Sequence, residues 1–381
     1  MTTRLLTGAT GFVGGAVVLE LLERTDDDIY ALVRGVDDAD SQQRLHKCLI
    51  ELAEGYDRTH LIEAIRSRTK AVRGDILQPL CGVDPQSLPQ IEEMWHSAAS
   101  LRYEEEHRAE IESLNIGGTR NVLALAHQLG ISSLNYVSTA YVVGASTGQI
   151  LERPVTDLAM ANNCYEESKI HGEALVTGCA GDFRVRVLRP TIVVGHSQTR
   201  HGINWSGMYG FTRQVLTFHK VAQRKVGTFL SHARIRLMAD PDVPVNLVPV
   251  DLVARNAVTI SLSDSKETYF HLGNSENPLV SEAIETILGL VGLRTPLWVT
   301  DSDGFTALDE MLDKGMDFYR SYLKNTKRFD YSHTEAVCGA HSCSAPMDAD
   351  EIAEYTRHFL RLQRGYTEGS EPQRNLHAAV V

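Results

Sequence analysis

The residues TGATGFVGG occupy positions 7–15, between a short apolar run near the N-terminus and the helical pattern FVGGAVVLELLER. In a strand-to-helix turn, Gly8 permits the tight turn, Gly11 lets the backbone approach a pyrophosphate, and Gly14 lets the helix pack on the strand. The stretch predicts a dinucleotide-binding loop, although a close-packed turn could use the same glycines for structure alone. The expected cofactor contacts of this loop are Gly8, Thr10, Gly11, Phe12, Val13 and Gly14.

Strand and helix patterns continue to alternate outward from this loop through the first two thirds of the chain. Such alternation predicts an α/β fold with a Rossmann-type, doubly wound parallel sheet. The pattern then changes, and we expect a smaller, mainly helical C-terminal lobe that binds the substrate. The predicted boundaries are a cofactor domain at 1–195 with 235–260 returning to it, a lobe at 196–234 and 261–366, and a disordered tail at 367–381.

The formal charge of the 381-residue chain is −12, and no long basic run offsets it, which argues against nucleic acid as the main partner. No apolar run approaches the roughly 20 residues of a membrane span. The first residues also lack the pattern of a secretory signal. Six scattered cysteines are typical of a reducing environment, so we expect a cytoplasmic protein.

The end of the second predicted strand, IYALVRG, bears on which dinucleotide is bound. A carboxylate at this position usually holds the ribose hydroxyls of NAD, whereas an arginine matches the 2′-phosphate of NADP. Here Arg34 ends the strand and Arg44 follows in the next helical pattern, so NADPH is expected. The alternative is that Arg34 is merely solvated and that Asp37 or Asp38 reaches the ribose.

A tyrosine stands four residues before a lysine in the helical pattern YEESKIHGEAL, which places Tyr165 and Lys169 on one helix face. An ammonium group beside a phenol can lower the pKa of the phenol, although an ordinary amphipathic helix produces the same spacing. The phrase STAYVVG offers Thr139 or Ser138 as a hydroxyl donor at a strand end, and Asn115 stands in an earlier helix. Carbonyl reduction requires such groups, because the oxygen that gains charge needs hydrogen-bond donors and then a proton.

The glycine loop, Asn115, Thr139 and the Tyr165–Lys169 pair, in this order, resemble the extended short-chain dehydrogenase/reductase superfamily over roughly the first two thirds of the chain. The phrases MWHSAASLRYEEE, YVSTAYVVG and VNLVPVDLVARNAV point to one branch. They are similar to the thioester reductases at the ends of peptide synthetases and carboxylic acid reductases, and to fatty acyl-CoA reductases.

This resemblance implies a role for each candidate residue. Tyr165 would be the acid, Lys169 would bind the nicotinamide ribose and lower the Tyr165 pKa, and Thr139 would hydrogen-bond the same substrate oxygen. Asn115 would hold a water in a proton relay to Lys169, while Ser138 could equally pair with backbone at the strand end. The further implied cofactor contacts are Asp75 and Ile76 at the adenine, His96, Ala98 and Ala99 along the cofactor, and Arg189, Pro190 and Thr191 near the nicotinamide.

The C-terminal phrase FYRSYLKNTKRFDYSHTEAV is similar to the male sterility segment of fatty acyl-CoA reductases. Ser321 replaces the usual proline and His333 the usual asparagine, and a generic amphipathic helix and loop is the alternative. The nearby phrase CGAHSC, residues 338–343, fits no standard zinc spacing, so we expect no metal.

These features together predict an NADPH-dependent reductase that releases an acyl thioester as an aldehyde, with further reduction to the primary alcohol left open. The acyl group would arrive on a separate carrier protein or on coenzyme A, and the enzyme would be a monomer or a homodimer. A sugar-nucleotide epimerase or dehydratase, and a non-catalytic NADPH-sensing protein, are the alternatives.

A basic stretch could receive pantetheine phosphates or an acidic carrier, although a solvated helix face is the simpler interpretation. Its residues are Lys220, Arg224, Lys225, Arg234 and Arg236.

Overall fold

The computed structural model describes residues 2–203 and 205–367. The strands are β1 (Thr3–Thr7), β2 (Asp28–Val33), β3 (Thr69–Arg73), β4 (Glu93–His96), β5 (Ser133–Val137), β6 (Gly148–Ile150), β7 (Arg184–Pro190), β8 (Ile192–Val194), β9 (Arg236–Met238), β10 (Leu247–Pro249), β11 (Tyr269–Leu272), β12 (Leu297–Val299) and β13 (Lys327–Phe329). The α-helices are α1 (Phe12–Arg24), α2 (Asp38–Gly55), α3 (Ile62–Arg68), α4 (Arg108–Ile111), α5 (Gly118–Leu129), α6 (Cys164–Thr177), α7 (Met208–Val226), α8 (Val250–Ser261), α9 (Val280–Val291), α10 (Ala307–Asp313), α11 (Asp317–Arg320), α12 (Ser332–Cys338) and α13 (Ala349–Thr367).

Seven parallel strands form the central sheet in the order β11-β7-β5-β4-β1-β2-β3, which confirms the predicted doubly wound fold. Central strands such as β1 and β2 carry apolar runs because helices cover both faces of the sheet. Helices α1, α2 and α8 pack on one face, around residues such as Val17 and Leu49. Helix α5 and the end of α6 pack on the other, around Val122 and Val176.

A second apolar core lies in the C-terminal lobe. Side chains of α7, α9 and α13 form it, among them Phe211, Ile284 and Phe359. Three short parallel strand pairs accompany this lobe, namely β8 with β10, β9 with β12, and β6 with β13. The smaller lobe therefore has its own packed interior rather than being a set of loops over the sheet.

Two of the predicted domain boundaries need correction. Strand β11 lies within the range 261–366 that the sequence assigned to the lobe, yet it pairs with β7 as an edge strand of the central sheet. Strand β9 lies within the returning range 235–260, yet it pairs with β12 in the lobe. A strand of three or four residues carries too little pattern to identify its partner, which is set by long-range packing.

The predicted disordered tail, 367–381, lies outside the described residues except for Thr367, which ends α13. Across the part of the chain that the structure describes, no helix combines the length and the apolar character that a membrane crossing requires.

Candidate active site

The glycine loop lies where the strand order reverses, between β1 and β4, and ligands of doubly wound sheets bind in this crevice. Gly8 follows β1 with a φ of +77°, a conformation that L side chains rarely adopt. A Cβ on Gly8 would lie 2.6 Å from the Ala98 backbone nitrogen, and one on Gly14 would lie 2.1 Å from the Gly8 carbonyl oxygen. Both glycines are therefore required by the close packing of β1, α1 and the segment after β4.

Gly11 has a different environment from the other two glycines. A Cβ at this position would meet only the Gly8 carbonyl oxygen, at 3.1 Å. Gly11 is also the N-cap of α1, and no side chain caps this helix. The first-turn N–H groups of a helix lack intrahelical acceptors and carry the positive end of its dipole. An uncapped helix start at the sheet crevice fits the pyrophosphate of a dinucleotide.

The two arginines that bear on cofactor choice lie next to each other beyond β2. The exposed Arg44 side chain on α2 donates a hydrogen bond of 2.6 Å to the Arg34 carbonyl oxygen. The nearby carboxylates have other partners, since Asp37 caps α2 by accepting from the Asp40 N–H and Asp38 forms an ion pair with Arg73. This contact places the Arg44 guanidinium beside the backbone that follows β2.

The predicted adenine contacts lie beyond β3. The Asp75 carboxylate accepts a hydrogen bond of 3.0 Å from the Leu77 N–H. Ile76 is buried against Gly118 at the start of α5, and its carbonyl oxygen accepts from the Asn121 amide at 2.7 Å. Both residues are therefore held by local contacts at the sheet edge where an adenine is expected.

His96 connects the loop to the helix that contains Asn115. Its ring is 1% exposed, with Nδ1 2.7 Å from the Thr7 hydroxyl and Nε2 3.0 Å from the Thr119 hydroxyl. Because Thr119 donates to the Asn115 carbonyl oxygen, we infer that the ring donates from Nε2 and accepts at Nδ1. Burial lowers the His96 pKa to about 3, so the ring is neutral. Both ring nitrogens are thus engaged within the protein, and Ala98 and Ala99 remain the partly exposed candidates of this segment.

Asn115 lies in a π-helical turn, Glu112–Gly117, and π-turns are frequent at functional sites. Its side chain accepts from the Ser100 N–H at 2.7 Å and donates to the Ser100 carbonyl oxygen at 3.1 Å and to the Ser168 hydroxyl at 2.9 Å. Asn115 thereby joins the segment after β4 to the helix that carries Tyr165 and Lys169.

Two of the predicted catalytic residues, Lys169 and Thr139, lie at the C-terminal end of β5. The Lys169 ammonium donates to the Val137 carbonyl oxygen at 2.9 Å, and Thr139 follows two residues after this carbonyl. The Thr139 hydroxyl accepts from the Tyr141 N–H at 3.2 Å. Within the described ranges no group hydrogen-bonds the Tyr165 hydroxyl, and none bonds the buried Ser138 hydroxyl. The end of β5 therefore offers a cluster of donors close to α6.

The electrostatics of this cluster differ from the expectation that Lys169 lowers the Tyr165 pKa. Burial, followed by the neighbouring Glu166 carboxylate, raises the Tyr165 pKa. Burial lowers the Lys169 pKa to about 8, partly offset by Glu173. Lys169 is bonded to Val137 rather than to the phenol, and its ammonium lies 5.0 Å from the Tyr136 ring centroid. The lowered phenol pKa is therefore not present in this arrangement.

The residues predicted near the nicotinamide are largely engaged elsewhere. The fully buried Arg189 guanidinium makes two hydrogen bonds to the Glu173 carboxylate, of 2.9 and 2.6 Å. The Thr191 hydroxyl donates to the Asn246 side-chain oxygen at 2.7 Å. Pro190, between Arg189 and Thr191 in the chain, is buried. The Arg189 side chain is thus unavailable to a cofactor in this conformation, because it holds α6 against β7.

Several residues that matter to this site escaped the sequence interpretation. Ser168 receives the Asn115 amide, Glu173 pairs with Arg189, and Glu166 accepts a hydrogen bond from Tyr322 of the C-terminal lobe. The helical spacing from Lys169 to Glu173 was a usable signal, since residues four apart share a helix face. The partners Arg189 and Tyr322 lie too far along the chain for any local pattern to reveal them.

A cavity of about 560 Å³ opens between the two parts of the molecule. Tyr103 and Phe318 stack at its wall with ring centroids 3.6 Å apart. Asn162 and Asn163, which immediately precede the Tyr165 helix, also line it, together with Lys324 and Asn325 of the lobe. The cavity therefore combines aromatic surface with amide groups and with charged groups of both signs, since Glu104, Asp317 and Arg320 also line it.

The basic stretch divides into two parts. Arg236 forms an ion pair with Asp309, and Arg234 donates to the carbonyl oxygens of Thr295 and Pro296. The remaining cations of the stretch are exposed near the end of α7, close to Phe229, whose side chain is 63% exposed. These cations are Lys220, Arg224 and Lys225.

The phrase CGAHSC does not bring its ligand atoms together. Among the residues for which the structure gives positions, three possible metal ligands lie within 4.8 Å of one another only at His127, Cys179 and Asp182. This group lies at the partly exposed ends of α5 and α6, away from the glycine loop, and exposed acidic groups are common without an ion.

Comparison with known proteins identifies the family. The model of the male sterility protein family, an NAD-binding domain, matches residues 6–257 of this chain. The chain belongs to the male sterility protein family. The match spans the glycine loop, the Tyr165 helix and α8, and it supports a nicotinamide dinucleotide as cofactor.

Relatives of this family member include proteins named as reductases. Glycine betaine reductase ATRR of Emericella nidulans is 26% identical over 94% of this chain, which spans 28% of that protein. A probable fatty acyl-CoA reductase 4 of Arabidopsis thaliana is 23% identical, with 77% of this chain and 71% of that protein covered. The crystal structure of the terminal R domain from the myxalamid PKS-NRPS biosynthetic pathway superposes with a TM-score of 0.75 at 25% identity, covering 97% and 93% of the two chains.

Proposed function

We propose that this protein is an NADPH-dependent reductase that releases an acyl thioester as an aldehyde. The observation that carries the proposal is the hydrogen bond from Lys169 to the end of β5, because it brings the Lys169 ammonium to the strand end that Thr139 follows. Family membership and the likeness to terminal reductase domains support the same activity.

The chemistry requires a hydride from the cofactor and a proton from the protein. As the thioester carbonyl is reduced, negative charge grows on its oxygen, and Thr139 and Tyr165 donate hydrogen bonds to that oxygen. Tyr165 then delivers its proton. Collapse of the resulting hemithioacetal breaks the carbon–sulfur bond and yields an aldehyde and a free thiol, with one NADPH and one proton consumed. A second equivalent of each would convert the aldehyde to the primary alcohol.

NADPH is the proposed form of the cofactor. The uncapped start of α1 at Gly11 would receive the pyrophosphate, and Arg34 and Arg44 would face the 2′-phosphate. Asp37 and Asp38 are engaged with Asp40 and Arg73, which weakens the alternative that one of them holds a ribose hydroxyl.

The acyl group is proposed to arrive on a carrier protein or on coenzyme A. The cavity beside Asn162 and Asn163 suits a pantetheine arm, because the arm carries amides that these side chains and Asn325 can hydrogen-bond. The relatives include both a terminal reductase domain and an acyl-CoA reductase, so each source of thioester has support.

A panel of acyl-CoA and acyl-pantetheine thioesters tests the reaction. NADPH absorbance, free thiol and organic products are followed in the same samples. We expect NADPH oxidation matched by thiol release, and the ratio of NADPH to thiol then separates aldehyde from alcohol. Consumption of a nucleotide sugar or a free aldehyde, with every thioester untouched, would overturn the proposal and favour an epimerase-type enzyme.

Replacing the proposed acid gives the first prediction. Tyr165→Phe removes the proton donor but keeps the ring, so turnover should fall by about a thousandfold while NADPH affinity stays near that of the wild type. Steady-state rates and a fluorescence titration with NADPH measure the two quantities. Retained activity would remove Tyr165 from its role, and binding without turnover in the wild type would favour a sensor.

A further inference from the structure

The carboxylate of Glu166 follows the proposed acid directly in the chain, yet its residue is fully buried. One of its oxygens accepts from the Asn162 N–H at 2.7 Å and from the Asn162 amide at 3.0 Å. The other accepts a hydrogen bond of 2.7 Å from the Tyr322 hydroxyl, which belongs to the C-terminal lobe. Glu166 is therefore the point where the lobe contacts the start of the catalytic helix.

Helix capping explains only part of this arrangement. Asn163 caps α6 by accepting from the Glu166 N–H, and a glutamate at this position commonly reaches back to the preceding backbone. Capping does not require a donor from a distant segment. Burying a carboxylate is costly unless every oxygen is satisfied, and Tyr322 supplies the shorter of the two hydrogen bonds to Oε1, at 2.7 Å against 3.4 Å from the Asn162 amide.

The Glu166 carboxylate is enclosed by a small set of titratable groups and aromatic rings. The phenols of Tyr141, Tyr165 and Tyr322 and the buried Lys327 ammonium of β13 are the titratable groups that interact with it. Lys327 forms no ion pair within 4.0 Å among the residues described. Tyr141 packs edge-on to Tyr322 with centroids 4.9 Å apart, so this face of α6 is closed by aromatic rings. A charge enclosed in this way acts strongly on its neighbours because little water screens it.

We propose that Glu166 is a positioning residue for Tyr165, and that the Tyr322 hydroxyl couples the C-terminal lobe to the catalytic helix through it. Burial raises the pKa of Glu166 itself, and once the carboxylate is ionised its charge disfavours the Tyr165 phenolate, so Tyr165 keeps its proton to higher pH. The same hydrogen bond fixes the first turn of α6 relative to the cavity that Asn162 and Asn163 line. The inference rests on the proposed function, since it concerns the acid of that reaction.

Single-turnover reduction rates as a function of pH test the effect of charge. Glu166→Gln keeps the shape, because its oxygen can accept from Asn162 and its amide can donate to Tyr322. We expect the alkaline limb of its profile to lie roughly 0.5 to 1 pH unit below that of the wild type. Glu167→Gln is the matched control, because Glu167 is part-exposed and paired with Arg108. An unchanged Glu166→Gln profile would overturn the inference.

The coupling through the lobe is tested separately. Tyr322→Phe leaves the charge in place and removes the hydrogen bond, so the single-turnover rate should fall about tenfold with NADPH affinity unchanged. Tyr319→Phe, which removes a neighbouring lobe hydroxyl with no contact to Glu166, should behave as the wild type. A wild-type rate in Tyr322→Phe would contradict the coupling, and this variant decides the matter if Glu166→Gln does not fold.

Different outcomes overturn the proposed function and the role of Glu166 and Tyr322. If the wild type consumes no thioester, the proposed function is wrong. If the wild type reduces thioesters normally and neither variant differs from its control, only the role of Glu166 and Tyr322 is wrong.

Discussion

The three glycines after β1 share a motif but have different neighbours. Gly14 and Gly8 face backbone atoms of the protein at distances that no Cβ can occupy, whereas Gly11 faces a single carbonyl oxygen. The first two are explained by packing within the protein, whereas the protein leaves more room at Gly11, where we propose that the pyrophosphate binds. Motif recognition alone could not separate these roles, because it depends on the residues that fold against each position.

Alanine substitutions separate folding from cofactor binding in this loop. Gly14→Ala places a Cβ 2.1 Å from the Gly8 carbonyl oxygen, and should lower the free energy of unfolding by about 2–4 kcal/mol. Gly11→Ala should cost less than about 1 kcal/mol but weaken NADPH binding about tenfold. Urea denaturation and NADPH titration measure the two effects. Wild-type NADPH affinity in folded Gly11→Ala would contradict our placement of the pyrophosphate.

His96 predicts a specific pH dependence of stability. Its pKa is lowered from 6.5 to about 3 in the fold, so between these values the unfolded chain binds more protons than the folded one. The contribution of the neutral His96 ring to the free energy of unfolding is fully present above pH 6.5. It decreases by about 1.4 kcal/mol for each pH unit as the pH falls below that value. Replacing the titrating ring in His96→Gln should flatten this part of the curve. Urea denaturation between about pH 4 and 7 measures the free energy of unfolding of both proteins across roughly this range. If the two curves run parallel, the His96 pKa is not lowered in the fold.

The catalytic helix α6 is fixed by contacts to four other segments. Lys169 bonds β5, Ser168 receives the π-turn amide, Glu173 pairs with β7, and Glu166 meets the lobe. Every one of these contacts uses a polar side chain that the helix buries. Such a helix has little freedom to shift, which suits a residue that must deliver a proton to a defined point.

The buried ion pair between Glu173 and Arg189 gives a prediction at this scale. Glu173→Ala leaves a buried guanidinium without its partner and should destabilise the fold by about 3–5 kcal/mol. The double variant Glu173→Leu with Arg189→Met should recover most of that loss. Glu167→Ala, which breaks a part-exposed pair with Arg108, should cost no more than about 1 kcal/mol. Equal losses for the buried and the part-exposed pair in urea denaturation would be inconsistent with this account.

The elements show where prediction from sequence succeeds and where it stops. The alternation of apolar runs and helical patterns was sufficient for the parallel sheet, because buried strands and amphipathic helices carry strong local signals. Glycine spacing was sufficient to locate the loop at the crevice, while the catalytic role of the Tyr165–Lys169 pair stays a prediction. The role of Arg189 was not accessible, because its partner Glu173 is chosen by the packing of α6 on β7. The assignment of β11 failed for the same reason, since β7 lies far away in the chain.

At the scale of the whole molecule, charge is distributed unevenly. The chain carries a formal charge of −12, yet the end of α7 exposes Lys220, Arg224 and Lys225 beside the exposed Phe229. A local basic patch with an apolar neighbour on an acidic protein can receive an acidic partner surface. A solvated helix face remains the competing explanation, and a measurement can distinguish the two.

Charge reversal at this patch tests the proposed docking of a carrier. Arg224→Glu with Lys225→Glu should reduce the rate with an acyl carrier protein about tenfold, while the rate with acyl-pantetheine and the NADPH affinity stay unchanged. Arg66→Glu with Lys70→Glu, which reverses two exposed charges near β3, is the matched control. An unchanged rate with the carrier protein would leave the α7 cations as solvated surface.

The pairing of β11 with β7 also affects how the chain folds during synthesis. The edge of β7 stays without its partner until residues 269–272 have been made, although β7 itself ends at Pro190. At ribosomal rates of about 5–20 residues per second, this delay lasts roughly 4–16 s. During that time the nascent sheet exposes the backbone edge of β7, whose sequence is RVRVLRP, and an unpaired edge is a site for wrong pairing. The late strand therefore makes the yield of active protein sensitive to the speed of translation and to chaperones that shield strand edges.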